Sequence, residues 1–188
     1  LYKGFTVSYW VKPADFATNS FAIARRKSTA GGKARFEFGI ETATDGFIGI
    51  GDNKRSTYDH GMSAGIWYHW VITYYKSDPD ANAGAITAYR DGVDIDLESF
   101  KANESTANFD DGAVNGYPIY FGGRNANGSY DNGWACSLDE VAIFDEVKDA
   151  DWVENVYNNN KPRRPRTRVP KLDLSNESGL VGYWKFDE

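Results

Sequence analysis

The chain has 188 residues, of which 41% are hydrophobic and 15% aromatic, and its net charge is −6. That length makes one domain, or one domain and a tail, and buries enough surface to fold without metals or disulfides. Residues 1–160 carry 14 Lys and Arg against 23 Asp and Glu, which argues against nucleic-acid binding as the main role. No apolar run is long enough to cross a membrane, and a single cysteine, Cys136, excludes an internal disulfide. High Gly and aromatic content points to an all-β fold. The chain opens without Met and reads as a segment of something longer, and its lack of disulfides points towards a bacterial or viral source.

In chain order, 5-FTVSYWVKP-13 alternates, with Phe5, Val7, Tyr9 and Val11 on one face and Thr6, Ser8, Trp10 and Lys12 on the other. The stretch 21-FAIARRK-27 follows, then 35-RFEFGIE-41 with Phe36, Phe38 and Ile40 inward. Asp45-Gly46 signals a hairpin into 47-FIGIG-51. The stretch 67-WYHWVITYY-75 is apolar on both faces and predicts a central strand of a packed sandwich, with His69 a core histidine. A hairpin around Asp91-Gly92 comes next, then a long irregular stretch, 96–116, then a strand at 117-YPIYFGG-123. After the polar loop 124–134 comes a last strand, 138-LDEVAIFD-145. The period then changes: Trp152, Val153, Val156 and Tyr157 share one helical face, with Asp149 or Asp151 as cap.

Residues 161–178 read as a basic, Pro-rich linker, extended by Pro162, Pro165 and Pro170. The closing 179-GLVGYWKFDE-188 reads as one more strand.

Six pieces in this order, 5-FTVSYWVKP-13, 66-IWYHWVITYY-75, 89-YRDGV-93, 119-IYFGG-123, 138-LDEVAIFD-145 and 152-WVENVYN-158, resemble the laminin G-like, concanavalin A-like domains of bacterial and phage type. The resemblance implies an all-β, two-sheet antiparallel jelly-roll sandwich with one short C-terminal helix. It assigns residues 1–160 to the jelly roll, lacking its first strands. The closing strand 179–188 resembles the family's opening strand, so it is either the first strand of a following repeat or a returning edge strand. The Pro-rich linker favours a tandem repeat. An extracellular, cell-surface or phage-virion setting is implied, with neighbouring repeats or other chains of the assembly as partners.

The same superfamily contains glucanases, whose carboxylates alternate along one strand face, because retaining hydrolysis needs its two carboxyls roughly 5–5.5 Å apart. Here strict alternation puts Glu140, Ala142 and Phe144 on one face and Asp139, Val141, Ile143 and Asp145 on the other, and neither carries acids two apart. The expected function is therefore non-catalytic binding of a glycan or polysaccharide, or a structural role with no small ligand. Sugars are held by aromatic faces and by Asn, Asp and Arg. The loop 124–134 supplies that mixture in Arg124, Asn125, Asn127, Tyr130, Asp131, Asn132 and Trp134. A second candidate loop, 52–61, offers Asp52, Arg55, Tyr58, Asp59 and His60, although turns alone also account for such residues. The resemblance also implies a structural Ca²⁺ on Asp139 with Asp187, whereas a pentraxin-type double calcium site lacks its acid cluster. Glu140, Asp145 and Glu146 read as a solvated rim.

Overall fold

A computed structural model describes residues 4–26, 34–50, 55–75, 85–95, 97, 118–126, 129–160 and 173–186. The strands are β1 (Gly4–Pro13), β2 (Ser20–Arg26), β3 (Ala34–Ile40), β4 (Asp45–Ile50), β5 (Arg55–Asp59), β6 (Tyr68–Tyr75) and β7 (Ala85–Arg90). They continue as β8 (Val93–Ile95), β9 (Tyr120–Phe121), β10 (Arg124–Ala126), β11 (Ser129–Asp131), β12 (Cys136–Phe144) and β13 (Leu180–Trp184), with one helix, α1 (Ala150–Asn160), between β12 and β13. Two antiparallel sheets stack as a sandwich. One has the order β13-β12-β1-β6-β7-β8 and the other β5-β4-β3-β2-β9, with β10-β11 as a separate hairpin.

The core lies between the sheets and is built by alternation. Val7, Tyr9 and Val11 of β1 meet Phe36, Phe38 and Ile40 of β3, Ile48 and Ile50 of β4, and Trp70, Ile72 and Tyr74 of β6. Tyr9 stacks on Phe38 with ring centroids 6.4 Å apart. The β7–β8 turn has φ of 55° at Asp91 and 81° at Gly92, the pair of left-handed residues that a tight hairpin needs. Asp45-Gly46, by contrast, lies inside β4; the bend precedes it and is closed by Glu41 and Thr42 N–H groups on the Asp45 carbonyl. Gly46 is required there because a Cβ would overlap the Tyr58 ring.

The six-stranded sheet is also buried on its other face. Thr6, Ser8 and Trp10 of β1 are fully buried on the side away from the core. Helix α1 covers that face. Asp149 caps it, accepting the Trp152 N–H at 2.8 Å, and Val153 and Val156 point inward. Val156 packs in a cluster with Ala142, Phe144 and Leu174, flanked by Trp152, Leu180 and Tyr183. His69 is sealed beside it, paired with the Ser8 hydroxyl at 2.9 Å and stacked on Trp10 at 5.0 Å. Burial pushes its imidazole down to about 3, so it is neutral in the fold.

Register shifts break strict alternation at several points, and those in β12 and β2 bear on the site. In β12, Val11 pairs with Leu138 and Val7 with Ile143, so two core-facing residues stand five apart. The extra residue is Glu140, at φ 48°. In β2 the register slips between Phe21 and Ile23. Ala22 and Ile23 both enter the core, while Phe21 turns out to join Ala24 and Phe47 on the other sheet's outer face.

Leu180–Trp184 lies antiparallel on β12 as the edge strand of this chain's own sheet. Trp184 reaches across to Phe121 of the opposite sheet, with ring centroids 5.2 Å apart, and so closes that side of the sandwich. Residues 161–172 lie outside the described residues, but the end of the stretch read as linker is packed: Leu174 is 2% exposed.

Truncating Phe144 to Ala should cost about 3–5 kcal/mol, read as a lower midpoint in urea unfolding, because its ring fills the space between β12, α1 and Leu174. His69 sets the acid limit. Its folded pKa is lowered, so its contribution is complete above the unfolded value and is lost as pH falls from about 6.5 towards 3. Unfolding free energy should fall over that window by up to ~1.4 kcal/mol per pH unit from this group. His69→Gln should remove that component, checked by urea titrations across the pH range.

Candidate functional site

The loop 124–134 folds as the β10–β11 hairpin, in the register Arg124–Asp131, Asn125–Tyr130 and Ala126–Ser129. It sits beside β2, tied by Phe21 N–H to the Asn132 carbonyl at 3.1 Å and by Trp134 N–H to the Gly122 carbonyl at 3.0 Å. Neighbouring residues of a strand point to opposite faces, and this divides the predicted constellation. Asp131 turns towards the sheet, where its carboxylate pairs with Arg124 Nε at 2.9 Å. The Arg124 guanidinium lies 4.6 Å over the Phe21 ring, so the β2 bulge supplies the platform on which this ion pair rests.

Tyr130 turns the opposite way. Its hydroxyl donates to the Gly122 carbonyl, and its ring lies so close on Gly123 that a Cβ there would overlap it. The residue is nonetheless 58% exposed. Held by its hydroxyl and by the close approach to Gly123, and exposed over more than half its surface, the side chain is a fixed aromatic group with little rotamer freedom left to lose on binding.

The other predicted residues divide as follows. Asn132 is a scaffold residue: at φ 50° it donates Nδ2–H to the Asn19 carbonyl at 2.7 Å. Trp134 plugs the core at 6% exposure and donates its indole N–H to the Asp15 carbonyl at 2.9 Å, so its ring offers no open face. Asn125 stands opposite Tyr130 in the register; Asn127 lies outside the described residues. The hairpin thus brings Arg124 and Asp131 together and sets Tyr130 apart from them. The residues that reasoning from sequence missed are Phe21, Gly122 and Gly123; the paired glycines after β9 were a legible signal that something packs on bare backbone there.

The second loop is a structural corner. Arg55–Asp59 forms β5, Tyr58 is buried, and Asp52 lies outside the described residues. His60 stacks on Phe16 at 4.5 Å. Its Nε2–H donates to the Ala43 carbonyl and its Nδ1 accepts the Met62 N–H, so both ring nitrogens are spent on backbone. Asp59 is exposed and accepts the Gly61 N–H at 2.8 Å.

The acids of β12 depart from the alternation predicted for them. The bulge places Asp139 opposite Trp10, on the same outer side as Ala142 and Phe144. Glu140 is no solvated rim residue: it is 2% exposed and accepts the Tyr183 hydroxyl. Burial, and next the Glu140 carboxylate, push the Tyr183 phenol well above its usual range, so it stays a donor. Both acids lie on the outer side of β12, where Glu140 is buried under Tyr183 of the tail and Asp139 is only half-buried. Asp139 Oδ1 accepts the Glu140 N–H at 2.8 Å, and Asp187 lies outside the described residues. Among the described residues no three of His, Cys, Asp and Glu gather to hold a metal. Burial pushes the Cys136 thiol up to about 12, so it is protonated and no nucleophile.

Comparison with known proteins bears on the fold. The chain is similar in structure to a proposed carbohydrate-binding protein of Bacteroides ovatus (15% identity, TM-score 0.60), covering 98% of this chain but only 45% of that one. It is also similar to the heptameric SAP-like pentraxin of Limulus polyphemus (13% identity, TM-score 0.59, 97% of this chain and 80% of that one). A third likeness is to the CBM40 domain of the Ruminococcus gnavus IT-sialidase, solved with α2,3-sialyllactose (12% identity, TM-score 0.63, 82% of each chain). Among curated proteins no sequence matches. A family model described as the concanavalin A-like lectin/glucanases superfamily, laminin G type, matches residues 2–154. With the two-sheet sandwich and this match together, the chain belongs to the laminin G type of the concanavalin A-like lectin/glucanase superfamily.

Proposed function

We propose that this chain is a non-catalytic carbohydrate-recognition module of a larger secreted, surface or virion protein, and that Tyr130 is its stacking face. The carrying observation is an aromatic side chain held on Gly122–Gly123 by its hydroxyl and its packing and yet 58% exposed. A pyranose presents a C–H face that fits such a plate, and an exposed pinned aromatic has no part in the core that would otherwise explain it. Hydroxyl contacts would come from the hairpin around it. The structural neighbours support the reading, since one is a proposed carbohydrate-binding protein and another was solved with a sialylated sugar. The burial of Glu140 against Tyr183, away from the hairpin, supports a role without hydrolysis. A single plate of this kind binds weakly, at about 10⁻³ to 10⁻⁵ M, or roughly −4 to −7 kcal/mol.

On a glycan array, the chain should bind a restricted set of sugars, and Tyr130→Ala should abolish the signal while costing only about 1 kcal/mol of stability, the hydroxyl bond to Gly122 being lost. Trp134→Ala should instead unfold the module, at about 3–5 kcal/mol. An array that stays blank for the intact chain would leave the purely structural role in a virion or surface layer.

A structural calcium ion on Asp139 and Asp187 is the proposal's separate extension. Thermal unfolding with calcium at 100 times its dissociation constant should raise the midpoint by a few degrees, about 2.7 kcal/mol, and Asp139→Ala should remove the rise. An unchanged midpoint in the unmutated chain removes calcium from the account and leaves the glycan reading standing.

A further inference from the structure

The two sheets end along one flank of the sandwich, with β13 as the last strand of the first and β9 as the last strand of the second. Trp184 and Phe121 meet across that flank, and both pack on the core. The tail then runs on past Trp184. Successive residues of an extended segment face opposite ways. Tyr183 and Lys185 keep to the outer side, where Lys185 Nζ lies 5.3 Å from the Tyr183 ring centre and 3.8 Å from Asp173. Phe186 follows Trp184 to the flank and sets its ring edge-on against Phe121, with centroids 5.6 Å apart at 79°. Phe186 is nonetheless 46% exposed. The core is closed by Trp184 and Phe121, so this last ring is not needed to seal it.

The strand directions bring Phe186 to the same end of the flank as Tyr130. Trp184 pairs with Val141, and the antiparallel tail beyond it runs towards the Cys136 end of β12. Phe121 pairs with Ile23, and β9 beyond it runs towards Phe21, where the hairpin is docked. The two rings rest on consecutive residues: Phe186 on Phe121, and Tyr130 through its hydroxyl on the Gly122 carbonyl, with Cα atoms about 3.8 Å apart. Among the described residues the one ring contact of Phe186 is with Phe121, so the two exposed aromatics stand apart from each other.

Their size decides what fits. A Phe or Tyr side chain presents 150–250 Å², so at these exposures the pair offers about 200 Å². A stable protein partner needs roughly 800 Å² on each side. Two separate rings of this extent suit a ligand that touches each in turn with a small apolar face, which is how successive sugars of a chain present themselves. We propose that Phe186 is a second sugar-stacking position beside Tyr130, and that the module reads a run of sugars within a glycan chain, not one terminal sugar. The inference rests on the carbohydrate reading of Tyr130 and adds the class of ligand to it. Once the first sugar is held on Tyr130, contact of a later one with Phe186 is intramolecular, so the second position strengthens binding although alone it is weak.

The test is calorimetric titration of the chain with cellulose-, xylan-, laminarin- and chitin-derived oligomers of one to six units. In one of these series affinity should rise with length, and the rise should include a step of about three- to tenfold, the worth of one further aromatic contact. Phe186→Ala and Phe186→Leu should remove that step, Phe186→Tyr should keep it, and Tyr130→Ala should lose binding at every length. The Leu and Tyr variants keep the bulk against Phe121, so the contrast between them reads the aromatic face and not the fold. A Phe186→Leu chain that matches the unmutated one at every length overturns the second position and leaves Tyr130 standing. So does binding confined to single sugars or to terminal caps such as sialyllactose. A chain that binds no oligomer and no array sugar overturns this inference and the carbohydrate reading together.

Discussion

Six consecutive residues of β1, Thr6 to Val11, are buried, although a strand alternates between two faces. That demands two separate covers. The five-stranded sheet covers Val7, Tyr9 and Val11, while on the other side Tyr157 of α1 stacks on Trp10, the backbone of Glu146 and Lys148 bonds Thr6, and α1 with the segment 173–186 covers the adjoining face of β12. Burial on this scale contributes roughly 1.5–3 kcal/mol for each large apolar side chain, so the second cover is a structural necessity. It also accounts for the polar residues on that face. His69 is held neutral against Ser8, and Glu140 is tolerated because Tyr183 donates to it. The Tyr183 bond offsets part of the cost of burying Glu140, whereas His69 is satisfied at Nε2 only, its Nδ1 being buried without a partner among the described residues.

The same constraint separates stability from recognition. The helix side is sealed by the clasp of Lys148, Glu177 and Trp152, leaving little there for a ligand to read. The hairpin β10–β11 has the opposite character. It leans on the second sheet through Arg124 over Phe21 and through backbone bonds at Asn132 and Trp134. The rigid sheet fixes where Tyr130 stands, and the hairpin decides what it shows to solvent. A binding surface on a loop positioned by a scaffold is the usual division of labour in such folds.

Much of this was legible in the sequence. The alternating strands β1 and β3, the doubly apolar β6, the Asp91-Gly92 turn and the capped helix all follow from periodicity and turn chemistry. What stayed hidden has a common cause. Glu140 and the Phe21–Ile23 register slip are bulges, and a bulge changes the facing of every residue on one side of it while leaving no periodic mark. Alternation therefore put Asp139 and Glu140 on opposite faces, whereas the bulged strand brings both to the outer side. The strands β5, β10 and β11 were read as loops because polar, Asn- and Gly-rich segments carry turn signals even when they pair. Of the predicted ligand residues, sequence could supply the chemical types only. That Trp134 is a plug and Tyr130 a plate depends on Asp15 and on Gly122–Gly123, contacts set by tertiary structure.

The central claim is that recognition is seated on the Tyr130 face of the hairpin, with the rigid sheets as its scaffold. Amide chemical-shift mapping of the labelled chain, titrated with a panel of oligosaccharides, tests it most directly. The account predicts saturable shifts at Gly122, Gly123 and residues 129–131, with the amides of α1 and β13 unmoved. Saturable shifts centred on the helix side, around Asp139 and Tyr183, would contradict it.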